Sequence, residues 1–242
     1  MRTKSDSPIV QTDQGPQIPW ENIETVLLDM DGTLLDLHFD WHFWMTYVPQ
    51  IYAERNQLSE AEANQIIRDK IHSQQGTLNW YCLDYWTDEL ALPIAELKHE
   101  FKHMIQAHPE VITFLKRLQT LGKHVIMVTN AHRDSLAIKL EMTEIGDYFD
   151  EMISAHDFGM PKEDRALWSA IQNKVPFNPA HTLLVDDNLQ ALASAKTFGI
   201  AYQLAATHVS PQLDRIDPQG FPHFEDFTQI LPPIAEDFGN SR

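Results

Sequence analysis

Thr25-Val26-Leu27-Leu28-Asp29-Met30-Asp31-Gly32-Thr33 is the stretch whose reading decides the fold. Its apolar start has the length and composition of a buried strand. Asp29 and Asp31 lie two positions apart, so on an extended chain they project to the same side. Like charges at the end of a buried strand stay close only when a cation or a proton separates them. Gly32 and Thr33 allow a tight turn, which leaves both acids at the carboxyl end of the strand, where open α/β sheets bind ligands.

Outward from this stretch, strand-like and helical segments alternate in the manner of a parallel sheet. Strands are expected at Val26 to Asp29, His124 to Val128, Met152-Ile153, Thr182 to Val185 and residues 201–204. Helices are expected from Val111 to Leu121 with Gly122 as the stop, from about Asp134 to Ile145, from Glu163 to about Lys174, and from Leu189 to Phe198. Between the first two strands lies a long helical stretch. Within it, Ser59-Glu60-Ala61-Glu62 reads as a capping box opening a helix to about Gln74, and Pro93 opens another toward Ala107.

Three of these strand-like runs end on residues that carry chemistry: Asp29 and Asp31, then Thr129, then Asp186 and Asp187. A fourth group is Gly159-Met160-Pro161-Lys162-Glu163, where a lysine stands at a helix start that the helix dipole makes unfavourable for a cation. Taken singly, each has a plainer explanation. The acids suit N-caps and turns, and Thr129 with Asn130 suits the end of a strand.

Together and in this order the four groups resemble the motifs of the haloacid dehalogenase-like (HAD) superfamily. The resemblance implies a Rossmann-like parallel-sheet core with an inserted α-helical cap. It implies that Asp29 attacks phosphorus to form an aspartyl-phosphate, and that Asp31 protonates the leaving group and then activates water. Thr129 and Lys162 would bind the transferring phosphoryl group. Mg²⁺ would be held by Asp29, by the backbone carbonyl of Asp31 and by the acidic pair, with Asp187 favoured as direct ligand and Asp186 behind it or acting through water. The sequence departs here from the common Gly-Asp form of that motif.

The implied organisation is a polar tail over 1–19, a core over 20–37 and 108–235, a helical cap of the C1 type over 38–107, and a second tail over 236–242. The segment Thr77-Leu78-Asn79-Trp80-Tyr81-Cys82-Leu83-Asp84-Tyr85-Trp86, with His38-Phe39-Asp40-Trp41, is similar to the purine 5′-nucleotidases of that superfamily that act on GMP and IMP. That similarity makes a small phosphorylated metabolite the expected partner. It nominates His38, Asn79, Trp80 and Asn130 as substrate contacts. Tyr81 and Tyr85, and Cys82 and Trp86, fall at i,i+4, which packing inside the helices explains by itself. His132, close after Thr129, stands where it could approach the phosphate, and it reads at least as well as a loop histidine.

Composition sets the outer bounds. The chain has 242 residues, 43% hydrophobic, enough for one large domain or a core with an insertion. A formal charge of −17 argues against nucleic-acid or anionic-membrane surfaces, which need basic patches. It also demands that a phosphate site be locally cationic, which Lys162 and Mg²⁺ would achieve. The single cysteine, Cys82, fits a reducing compartment. No apolar run approaches the roughly 18 residues that span a bilayer, so the cytoplasm is the expected location. Oligomeric state is not legible. A 2-haloacid dehalogenase is disfavoured, because halide needs no protonation and Asp31 would be superfluous. A sugar-phosphate phosphatase or phosphomutase on the same scaffold differs only in its cap. A catalytically silent binding module would have lost one of the acids, and none is missing.

Overall fold

Thr25–Leu28 forms a strand, β3, buried at every position in the computed structural model, which describes residues 8–234. It lies at the centre of a parallel sheet. On one side it pairs with β4 (His124–Thr129), which pairs in turn with β5 (Glu151–Ser154). On the other it pairs with β6 (Thr182–Asp186), followed by β7 (Tyr202–Ala206) and the two-residue β8 (His223–Phe224). The order is β5-β4-β3-β6-β7-β8.

The alternation of side chains along these strands builds two cores, one on each face. Val26, Leu28, Val125, Met127, Leu183 and Val185 belong to one apolar cluster, while Leu27, Ile126, Val128 and Leu184 belong to another. A strand buried on both faces needs a continuous apolar run, which is what these segments supply. The first face is covered by α6 (Val111–Thr120), whose Val111, Phe114, Leu115 and Leu118 are fully buried, and by α7 (Arg133–Thr143). The second is covered by α8 (Arg165–Lys174) and α9 (Leu189–Phe198), through Leu167, Trp168, Ile171, Leu192 and Ala195. Burying a side chain such as Phe114 contributes about 2–3 kcal/mol.

Between β3 and β4 the chain makes a helical excursion with an apolar cluster of its own. It comprises α1 (His38–His42), a π-helical turn (Phe43–Tyr47), α2 (Val48–Asn56), α3 (Glu60–Ser73), α4 (Leu83–Leu90) and α5 (Ile94–Glu100). Phe43, Ile67, Leu83, Trp86 and Leu90 are the centre of that cluster. The Ser59 capping box is present, with Glu62 N–H donating to Ser59 Oγ at 3.3 Å and Ser59 N–H donating to Glu62 Oε2 at 3.0 Å. The two ends of the excursion meet: Leu35 forms an antiparallel bridge with Ala107, and Asp36 N–H donates to Gln106 O at 2.9 Å.

The structure departs from the sequence-based expectations in several places. Part of the stretch expected to be a polar tail folds: β1 (Val10–Thr12) and β2 (Gly15–Gln17) form an antiparallel hairpin, because the flanking Ile9 and Ile18 pack on the core. Residues 1–7 and the expected tail over 236–242 lie outside the described residues. The helix expected from Glu163 starts at Arg165, since Asp164 caps it by accepting from Ala166 N–H at 2.8 Å. The helix expected to reach Ala107 ends at Glu100 and gives way to a 3₁₀ turn at Lys102–Met104. Strand β8 is too short to leave a periodic signal. Among the described residues no helix is long and apolar enough to cross a membrane.

Candidate active site

Strand register assembles the site. Leu28 stands level with Met127 on β4 and Val185 on β6, so one residue further Asp29 stands beside Asp186, and two residues further come Thr129 and Asp187. Four of the sequence-nominated side chains therefore arrive together at the carboxyl end of the sheet, Thr129 and Asp186 on strands, Asp29 and Asp187 one residue beyond them. Asp29 N–H donates to Val185 O at 3.0 Å and carries the ladder past the end of β3. Gly32 turns the chain away with φ +84°, a conformation glycine adopts without a Cβ penalty. A cavity of about 530 Å³ opens above these strand ends.

Lys162 reaches in from the loop before α8. Its Nζ stands 2.5 Å from Asp29 Oδ1 and 2.7 Å from Asp186 Oδ2, and its side chain is 3% exposed. Burial opposes that charge, but Asp186 and Asp29 outweigh it and hold the ammonium above its ordinary pKa. Asp186 also accepts from Asn188 N–H at 3.0 Å, yet burial pushes its carboxyl up to about 7. Asp187 has no ion pair among the described residues; burial, with Asp29 and Asp186 beside it, raises its carboxyl well above the usual range. Asp29 Oδ2 is buried with no hydrogen-bond partner. Asp29, Asp186 and Asp187 each offer an oxygen within 4.8 Å of the others. Uncompensated oxygens converging in this way suit a hard divalent cation.

Asp31 points into the same cavity from the turn, and its carboxylate meets Lys139 Nζ of α7 at 2.6 Å. Burial pushes Asp31 up to about 6, with Lys139 opposing and Asp40 and Asp29 adding to the rise. Lys139 also holds Asp40 at 2.6 Å, and Asp40 holds Lys98 of α5 at 2.5 Å. Burial alone would raise Asp40, but the two ammoniums outweigh it and keep its carboxyl well below the ordinary value. Sequence reading did not single out Lys98, Lys139 or Asp40 as site residues. Spacing gives no hint that residues so far apart share one ion chain.

The remaining nominees divide. Thr129 ends β4, lines the cavity, and accepts from Ala131 N–H at 3.0 Å, which leaves its hydroxyl proton to give. Asn130 also lines the cavity, but its amide is committed on both sides: Oδ1 accepts from Lys162 N–H at 2.9 Å and Nδ2 donates to Glu163 at 3.0 Å. It holds the lysine loop, whereas sequence reading assigned it to substrate. Glu163, which that reading treated as a helix start, is a hub. It accepts from Asn130, from Asn188 at 2.8 Å, and from the Tyr81 hydroxyl at 3.1 Å. Tyr81, read as packing, is thus a wall of the cavity.

Of the nominees on the helical excursion, Trp80 lines the cavity. Asn79 and His38 are not among its lining residues. Asn79 is exposed and donates to Gln74 Oε1 at 3.1 Å, and His38 stacks on Trp41 with centroids 6.1 Å apart. Their sequence neighbourhood suggested contact, but the 3₁₀ turn Leu78–Tyr81 aims Trp80 and Tyr81 inward and leaves Asn79 outside. Besides Asn130 and Asn188, the amide-bearing residues that line the cavity include Gln75, Gln190 and Gln219. Gln219 arrives from the loop after β7, which carried no sequence signal. His132 lines the cavity as well and caps α7, its Nδ1 accepting from Asp134 N–H at 3.4 Å.

Comparison with known proteins places the chain in a family. The haloacid dehalogenase-like hydrolase family matches residues 23–199, a span that contains all the site acids and Lys162. The chain is 40% identical over 217 residues to the GMP/IMP nucleotidase YrfG of Escherichia coli, covering 90% of this chain and 98% of that relative. It is 25% identical over 195 residues to (S)-2-haloacid dehalogenase 4A of Burkholderia cepacia, covering 74% and 81% respectively. In fold it resembles a HAD phosphatase from Thermococcus onnurineus, with a TM-score of 0.72 at 21% identity over 86% of this chain and 96% of that one. On the family match over most of its length and on the acids placed at its strand ends, the chain belongs to the haloacid dehalogenase-like hydrolases.

Proposed function

We propose that this phosphatase of the HAD type hydrolyses purine nucleoside 5′-monophosphates, GMP and IMP above others, through an aspartyl-phosphate on Asp29. The observation that carries the chemistry is the state of Asp29: one oxygen is held by Lys162, the other is buried and unpartnered, and two further carboxylates lie alongside. A carboxylate so placed is anchored as a nucleophile and left free to attack.

Asp29 forms a bond to phosphorus as the bond to the ribose O5′ breaks, and Asp31 delivers the proton that the departing oxygen requires. Water then attacks phosphorus, Asp31 takes its proton, and phosphate leaves with the Asp29 carboxylate restored. Lys162 and the Thr129 hydroxyl donate to the phosphoryl oxygens, where negative charge is concentrated. Asn130 and Glu163 keep Lys162 in place. The Asp29 carboxylate, the Asp31 carbonyl and Asp187 would hold Mg²⁺, and Asp186, taken up by Lys162, would stand behind them. When bound, that ion supplies charge neutralisation between an anionic ester and an anionic nucleophile.

The substrate reading is supported by the 40% identity to the Escherichia coli GMP/IMP nucleotidase, and by a cavity that offers a base both flat and polar surfaces. Trp44 and Trp80 line it with aromatic rings, and Gln75, Gln190 and Gln219 each carry a donor and an acceptor. Guanine and hypoxanthine share a 6-oxo group and a protonated N1, which adenine lacks, so an amide matched to the first two leaves unpaired groups against the third. The test is a comparison of kcat/KM for GMP, IMP, AMP and hexose phosphates with Mg²⁺. GMP and IMP should lead. A hexose phosphate ahead of both would remove the nucleotidase reading and leave the phosphatase core intact.

A further inference from the structure

Among the described residues Asp31 has one ionic anchor, Lys139, and that anchor belongs to a longer chain. Lys98 Nζ stands 2.5 Å from Asp40 Oδ1, Asp40 Oδ2 stands 2.6 Å from Lys139 Nζ, and Lys139 Nζ stands 2.6 Å from Asp31 Oδ1. Lys98 also approaches Ser135 Oγ at 3.3 Å. The two lysines are 4% and 2% exposed at their side chains. Their ammoniums lie over the Phe39 ring at 5.2 Å and 5.7 Å, so an apolar wall shields the chain. Burying two ammoniums against aromatic rings carries a desolvation penalty that an apolar side chain would avoid. The chain nonetheless runs without a break to the one carboxylate that must sit in line with a leaving oxygen.

Here Asp40 uses both oxygens, one for each lysine, and so sets where Lys139 stands; Lys139 in turn sets where Asp31 points. Two of the four groups, Asp40 and Lys98, come from the helical excursion, while Lys139 and Asp31 come from the sheet domain. Proton transfer demands heavy-atom distances within hydrogen-bond reach, and misplacement by about 1 Å costs on the order of 10²-fold in rate.

We propose that Lys98, Asp40 and Lys139 are positioning residues that aim the Asp31 carboxyl at the leaving group, so that the helical excursion acts on the chemical step through two ion pairs. The inference rests on the phosphomonoesterase reading of the site.

The experiment uses the full chain with Mg²⁺ and two substrates, IMP and p-nitrophenyl phosphate. Lys98→Met and Asp40→Asn should each lower kcat for IMP by about tenfold or more with KM within about twofold, while p-nitrophenyl phosphate, whose leaving group needs little protonation, loses about threefold or less. Placed on Asp31→Asn, where there is no acid left to aim, the same substitutions should cost less than about twofold further. Where Asp40→Asn alone fails to give a cooperative thermal transition, Asp40→Asn/Lys98→Met, which removes one charge of each sign, takes its place with the same readout. Equal losses on both esters, or an undiminished loss on the Asp31→Asn background, would overturn the positioning role alone. Absence of hydrolysis of either ester by the unsubstituted protein would overturn this inference together with the reading beneath it.

Discussion

Gly32 and Asp187 are in contact across the catalytic turn: a Cβ on Gly32, where φ is +84°, would lie 2.5 Å from Asp187 Oδ2. The turn that releases the chain from β3 is therefore also the surface against which Asp187 rests. Gly32→Ala combines a left-handed backbone, costing about 1 kcal/mol, with displacement of a proposed metal ligand. We expect a modest fall in thermal stability and at least about a tenfold rise in the Mg²⁺ concentration for half-maximal activity. An unchanged Mg²⁺ titration would show that Asp187 does not hold the ion.

The two acids that end β6 should separate by phenotype. Asp187→Asn is expected to raise the Mg²⁺ requirement by about 10–100-fold while the fold survives. Asp186→Asn removes a charge partner from buried Lys162, so its principal effects should be a lower kcat and a lower melting temperature. Matching Mg²⁺ titrations for the two variants would contradict this division.

Replacing the nucleophile is the simplest test of covalent chemistry. Asp29→Asn keeps the shape and removes the attacking charge, so turnover should fall at least about 10³-fold while circular dichroism stays unchanged. A variant retaining a tenth of the activity would exclude attack by Asp29.

The raised carboxyls make a prediction about pH. Asp31 is pushed up to about 6 and Asp186 to about 7, from an ordinary value of 3.8. An acid whose pKa is higher folded than unfolded gives stability that is fully present below the unfolded value and is lost as pH rises through the folded one. The metal-free protein therefore loses stability from these groups between about pH 4 and pH 7, and a cation that favours ionised carboxylates offsets the loss. The rise in melting temperature on adding Mg²⁺ should be larger at about pH 7.5, above both raised values, than at about pH 5, below them. Equal rises at both would argue against a cation among these acids.

Trp80 and Asn79 adjoin in sequence and part in space, one on the cavity wall and the other outside it. Trp80→Ala should raise KM for IMP by about tenfold and leave p-nitrophenyl phosphate, which carries no purine, within about twofold. Asn79→Ala should be near neutral for both. An effect of Asn79→Ala as large as that of Trp80→Ala would place the base elsewhere than the cavity described.

How much of this was legible in the sequence follows from the range of the interactions involved. Strand ends were legible because a strand buried on both faces must be an unbroken apolar run, and the residue that stops the run is the one exposed to the ligand side; Asp29, Thr129 and Asp186 were found in that way. Lys162 was nominated because Gly159-Met160-Pro161-Lys162-Glu163 resembles a family motif, with only mild support from its expected place at a helix start, and α8 in fact begins at Arg165. Lys98, Lys139 and Asp40 were not, since their partners lie 58 and 99 residues apart in the chain and ordinary helical lysines look the same. Glu163 was mistaken for a helix start because a carboxylate suits an N-terminus, and only the tertiary structure shows three donors turned toward it. Asn79 and Trp80 were indistinguishable by neighbourhood, and a single 3₁₀ turn decides which of them faces inward. Hairpin β1–β2 escaped because strands of three residues carry too few positions to display a period.

The bridge between Leu35 and Ala107 means that the helical excursion leaves and rejoins the sheet domain through one narrow neck, two backbone segments wide. No strand end, and none of Asp29, Thr129, Lys162 or Asp187, lies beyond that neck. Grafting a different helical excursion at these two points would exchange the walls that meet the body of a substrate while the phosphate end kept its donors and its nucleophile. What a graft would have to preserve is small: a carboxylate in the place of Asp40 and an ammonium in the place of Lys98, where the excursion touches the chemistry from its own side.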